Sequence, residues 1–277
     1  LYRDRASGAE ERIEDIDLVL SAESLSGPYG ARGSFVGRGV AVELDVAIGE
    51  VVPDKRVAFR ARADLPGASA SFTGGAIFTA PGPQVDGKLS VKGESIGAVV
   101  DLVAALFGQT VGARLPRRDR IDIVARIAVS ESEVSAEALE IRFGDTVAKG
   151  EFKTGLGAAS RFDLTLDANR LDIDAWLAGL APAVPGVDEA LAAAFALPPE
   201  LNGNIDLDID AVMFRDQVIR QSVINLGFAG GMVNIQRLSA LLPGASDATV
   251  FGSVSFPDGG ARFSGQIDGA SDNLRAL

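Results

Sequence analysis

The sequence contains no cysteine and no histidine. Disulfides, zinc–thiolate centres, cysteine nucleophiles and imidazole acid–base chemistry are therefore excluded. A chain free of thiols suits an oxidising compartment. Aromatic residues make up only 6% of the 277 positions, so there is little of the ring surface on which sugars stack. Cations are outnumbered, 26 Lys and Arg against 38 Asp and Glu, and the net charge of −12 argues against nucleic acid as a partner and against electrostatic adhesion to an anionic membrane. No run of about 18 apolar residues occurs, so no helical membrane span is predicted. No signal peptide is visible.

What the chain does have is apolar character, 47% hydrophobic residues with a mean hydropathy of +0.21, and a strict alternation in how it is laid out. Val40, Val42, Leu44, Val46 and Ile48 fall on one side of a strand, with Ala41, Glu43, Asp45 and Ala47 on the other. The pattern returns in Ile121, Ile123, Ala125, Ile127 and Val129, in Phe162, Leu164 and Leu166, and in Ile205, Leu207 and Ile209. A period of two is the signature of a sheet with one greasy face. About fourteen such stretches are predicted, separated by Gly, Pro, Asp and Ser. Turns are read at residues 26–30 and 52–55, at Gly74-Gly75 and at residues 81–83.

Helical spacing interrupts the strands. Ile96, Val99, Val100, Val103, Leu106 and Phe107 predict a helix over residues 95–107, capped by Ser95 and stopped at Gly108, with Val99, Val103 and Leu106 inward. A second helical patch starts at residues 171–180, with Asp172 or Asp174 as cap, and an Ala-rich helix follows over 188–197. A third opens near Asp272. Several meandering strands followed by a short helix thus recur three times, giving β repeat units at 1–112, 113–199 and 200–277. Because the chain starts at Leu1 and ends in what reads as the first turn of a helix, the expectation is an internal piece of a longer protein with its anchor or export signal upstream.

A sheet with one apolar face must bury that face, yet about 40 helical residues at most are available to cover the strands. Either the sheet packs on itself, or its concave face stays apolar and open to an apolar ligand. The fold class predicted is all-β: an elongated, curved antiparallel meandering sheet with short interspersed amphipathic helices. Candidate groove residues are Val42, Leu44, Val46, Ile123, Ile127, Leu164, Leu166, Leu207 and Ile209.

Residues 197–212 (LPPELNGNIDLDIDAV) with 223–231 (VINLGFAGG), residues 86–102 (DGKLSVKGESIGAVVDL) and residues 16–28 (IDLVLSAESLSGP) resemble the AsmA-like family. Its relatives TamB and YhdP look like repeating β-groove proteins. The resemblance covers nearly the whole chain, through degenerate patterns of strand, glycine and short helix. It implies a periplasmic segment of a Gram-negative protein tethered to the inner membrane, carrying phospholipid between membranes and supporting outer-membrane biogenesis. It brings no catalytic motif and no cofactor.

Other constellations read as ordinary surface. Asp206, Asp208 and Asp210 imitate the start of an EF-hand loop, but Ala211 stands at position six and Gln217 at position twelve, so a solvated strand face is predicted instead of a metal site. Arg114, Arg117, Arg118 and Arg120 form a basic connector that reads as a solvated loop or, on the functional side, as a contact to lipid phosphate or an acidic partner. Gly37-Arg38-Gly39 is not followed by a helix, as a nucleotide fingerprint requires. No carboxylate pair stands out as a glycosidase dyad. The chain therefore reads as a non-enzymatic acyl-chain binder, with a self-packed structural or interaction scaffold as the alternative.

Overall fold

The computed structural model describes residues 2–3, 10–11, 13–53, 55–78, 82–107, 119–157, 161–175, 202–255 and 262–272. The chain falls into two compact units, one of Leu1–Val111 with Arg117–Glu131, the other of Gly112–Pro116 with Ser132–Leu277. Both are built of strands, as the alternation predicts, and the fold is all-β.

The first unit begins with a two-residue pairing of β1 (Tyr2–Arg3) and β2 (Glu10–Glu11). Seven longer strands follow: β3 (Ile13–Ala22), β4 (Tyr29–Gly37), β5 (Val40–Ile48), β6 (Val57–Leu65), β7 (Ala68–Phe78), β8 (Pro83–Gly93) and β9 (Ile121–Val129). Each pairs antiparallel with its neighbour in sequence. The Gly37-Arg38-Gly39 segment is the β4–β5 hairpin, with Arg38 at φ 52° and Gly39 at φ 79°. Gly74-Gly75 is not the turn expected from its composition. β7 runs straight through it, because Gly74 permits a close approach of β8 while Gly75 leaves room for the Arg56 side chain.

Between β8 and β9 stands helix α1 (Ile96–Phe107). Ser95 is its N-cap, with the Ala98 N–H donating to Ser95 Oγ at 3.1 Å. Val99 is buried on the sheet as expected, but Val103 is 47% exposed and not inward, so the packed stripe follows Val99 and Ala104.

The second unit holds β10 (Glu133–Phe143), β11 (Thr146–Gly155), β12 (Arg161–Asp172), β13 (Asn202–Phe214), β14 (Gln217–Ala229), β15 (Met232–Leu242), β16 (Ser246–Ser255) and β17 (Arg262–Ser271). It departs from the antiparallel expectation once. β12 and β13 pair in parallel, because the intervening segment returns the chain to the end of the sheet from which β12 started. That segment opens with a helical turn at residues 173–175, where Asp172 is the cap and accepts the Ala175 N–H at 2.8 Å. The helix expected over 188–197, Gly108, Arg114, Arg117, Arg118 and the residues after Asp272 lie outside the described residues.

Candidate functional site

Residues directly opposite on neighbouring strands share a face, so the registers sort every side chain. In the first unit one row reads Leu44–Ala63–Ala70–Val91–Ile123, and the next Val46–Ala61–Phe72–Leu89–Ala125. In the second unit a row of six strands reads Leu166–Leu207–Ile224–Leu238–Val250–Ile267. Leu164 stands beside Ile205 and Leu226 in the row next to it. All nine candidate residues thus lie on the apolar face of their own unit. Val42, Leu44, Val46, Ile123 and Ile127 are in the first, and Leu164, Leu166, Leu207 and Ile209 in the second.

The opposite face is wet and charged. Arg32 closes on Asp45 at 2.7 Å, Arg62 on Asp64 at 2.7 Å, and Arg56 forks onto both carboxylate oxygens of Asp86. The hydrogen bonds from Arg62 and Arg56 hold the Asp64 and Asp86 carboxyls below the ordinary aspartate range, and their carboxylates raise the two guanidinium groups in return. Asp206 and Asp208 are on this face too, the former accepting from the Asn225 amide at 2.7 Å. Among the described residues no cluster of acidic side chains is arranged to hold a metal ion.

Glycines reveal which way the sheet bends. Gly74 and Gly87 oppose each other on the apolar face of β7 and β8. A Cβ built on Gly74 would stand 2.1 Å from the Asp86 carbonyl oxygen, and one on Gly87 would stand 2.5 Å from that of Thr73. The backbone of each strand therefore leans over the apolar side of the other, and the sheet creases toward that face. The Phe72 ring lies over the crease, 2.6 Å from the Gly87 Cβ position, and stacks tilted on Phe59 at 5.7 Å. The second unit repeats the device, with Gly252 opposite Gly265 and the Phe263 ring laid over them. The apolar face is the concave one in each unit.

How well is that face covered? Among the described residues twelve hydrophobic side chains are buried, and four of these are alanines. Of the nine candidates only Val42 and Ile209 are buried, and the other seven are half-buried, flanked by neighbours but open on top. In the first unit α1 spans from β8 back to β5. Its 12 residues measure ~18 Å, enough to cross three strand spacings of ~14 Å along the strand ends. It roofs the end of the trough where Gly93 and Ile121 lie, with Val99 set against them, while Leu44 and Val46 stay half-buried. The strand pattern pointed to the floor of this trough, whereas neither the aromatic covers over the glycine creases nor the path of α1 has a signal in the local sequence.

The rows traced above hold Val, Ile, Leu, Phe, Ala and Gly, with Ser222 opposite Ile209 and Thr154 opposite Phe162, and what the apolar side chains can do chemically is exclude water from apolar matter. No helix among the described residues is long and apolar enough to cross a membrane. Comparison with family models, with curated proteins and with solved structures finds no match.

Proposed function

We propose that the protein binds lipid acyl chains without covalent chemistry along the concave apolar faces of its sheet. In this reading it is a periplasmic, AsmA-like protein of the inner membrane that supports phospholipid transport between membranes and outer-membrane biogenesis. The observation that carries the proposal is the unbroken apolar row from Leu166 to Ile267, six strands wide and half-buried at Leu166, Leu207 and Ile224. A lone hydrophobic residue on a surface is commonplace, but a continuous concave strip calls for an apolar occupant. Each methylene laid in the strip gains about 0.8 kcal/mol. The rows are chemically alike from strand to strand, so a chain can shift along them without leaving a deep minimum, which is what transfer requires.

The test is native mass spectrometry of protein purified from a bacterial membrane fraction, followed by titration of the delipidated protein with a fluorescent fatty-acyl probe. Co-purifying phospholipid and saturable probe binding are expected. A self-packed scaffold gives neither.

A further inference from the structure

The start of β14 and the turn that joins β15 to β16 line an open cavity of about 690 Å³ outside the rows described above. Its two charged residues are Arg220 and Asp247. Arg220 pairs with Leu241 across β14 and β15, and Leu241 pairs with Asp247 across β15 and β16. The β-bulge that sets the first pairing lies between Arg220 and Val223, where Gln221 stands at φ 48°. Re-aiming a side chain is a common consequence of such a bulge. Guanidinium, leucine and carboxylate therefore form one cross-strand row, the outer two separated by two strand spacings or ~10 Å of backbone. Leu241 is 43% exposed between them.

Elsewhere on the sheet opposite charges close directly, as Arg32 does on Asp45. Arg220 and Asp247 do not. Both are exposed, and neither makes an ion pair or a side-chain hydrogen bond among the described residues. They face a common space that a ligand carrying both signs would fill. Arginine is the side chain best shaped for the oxygens of a phosphate. A carboxylate suits a primary ammonium, which has three N–H donors to offer it. A trimethylammonium has none and is held by aromatic cages, and no residue lining this cavity is aromatic.

We infer that this cavity binds the zwitterionic headgroup of an ethanolamine phosphate diester, with the phosphate on Arg220 and the ammonium on Asp247. The acyl-chain proposal bears on this only as a source of such headgroups, since the soluble diester binds in the same way.

The experiment is a titration of the ¹⁵N-labelled full chain with glycerophosphoethanolamine, and separately with glycerophosphocholine. Saturable shifts are expected at the amides of Ala245 and Ser246, with the choline diester about tenfold weaker. Arg220→Gln and Asp247→Asn should each weaken the ethanolamine diester by about tenfold, at unchanged melting temperature and with unchanged acyl-probe binding. No saturable shift, an equal response to choline, or full binding in both variants overturns the inference. Flotation with phosphatidylcholine vesicles, with and without phosphatidylethanolamine, identifies the source. Ethanolamine-dependent flotation lost in both variants assigns a membrane surface, and a response to the soluble diester alone assigns a released headgroup. If the parent binds the diester but no acyl probe, the groove proposal fails while this one stands.

Discussion

In the first unit one end of the apolar face lies under α1, and Ile121 there is buried. In the second unit the described helical residues are 173–175 alone, yet Ile209, Phe228 and Val233 are buried too, Val233 to 2%. Among the described residues, a helix accounts for the first case alone. What the units share is the glycine crease with a phenylalanine ring over it, and in the second unit the tilted Phe162–Phe228 pair at 5.7 Å adds to this. A sheet bent toward its apolar side brings side chains of successive strands together, which adds to their burial in both units. The helix adds local cover, while curvature supplies the trough.

The sharpest way to break this comparison is to fill a crease. Gly74→Val in the first unit and Gly265→Val in the second each push a side chain into the neighbouring backbone, and each should cost about 3 kcal/mol. Hydrogen exchange resolved by segment should show the loss confined to the unit that carries the substitution. If both variants keep parental protection, glycine does not set the curvature.

A smaller effect separates roof from trough. Ser95→Ala removes the acceptor for the Ala98 N–H and should destabilise α1 by about 1 kcal/mol. Exchange at Ala98 should quicken, and the acyl probe should reach the end of the first unit's trough that α1 covers, with the strands of the second unit unmoved. Loosening of β13–β16 in this variant would contradict the independence of the two burial modes.

The smallest expected effect is electrostatic. Asp64 and Asp86 are held below the usual carboxylate range by hydrogen bonds from Arg62 and Arg56 in the first unit. A depressed folded-state pKa contributes stability that is present above the ordinary value of about 4 and is lost as pH falls through the folded value. The double variant Arg56→Gln, Arg62→Gln should therefore differ from the parent at neutral pH and converge with it in acid. Because these groups are exposed, the difference should be slight and should shrink in high salt. A gap that widens on acidification would have the wrong sign.

The strands and the choice of face were legible in the sequence because both follow from a period of two. Leu164, Leu166 and Leu207 needed no tertiary information to be put on one side. Three features were not legible. Gly74-Gly75 has the composition of a turn, and only the proximity of Asp86 reveals it as a crease within a strand. Val103 fits a helical stripe with Val99, but the stripe that packs is chosen by how α1 lies on β5 and β8. The parallel pairing of β12 with β13 depends on where a connection lands, which no local pattern encodes. The row of Arg220, Leu241 and Asp247 is hidden for a related reason, since it exists only through two registers and a bulge.

The most direct test of the open trough is Leu207→Asp, read by melting temperature and bound lipid together. Leu207 sits in the middle of the long apolar row and is half-buried. An open trough lets the new carboxylate reach water, so the variant should melt close to the parent and lose acyl-probe binding and co-purifying lipid. In a sealed core the same change would bury an unpaired charge at a cost of several kcal/mol, and the protein would unfold or aggregate. Unfolding would contradict the trough, and a stable variant that retains its full complement of lipid would contradict the assignment of this face to the ligand.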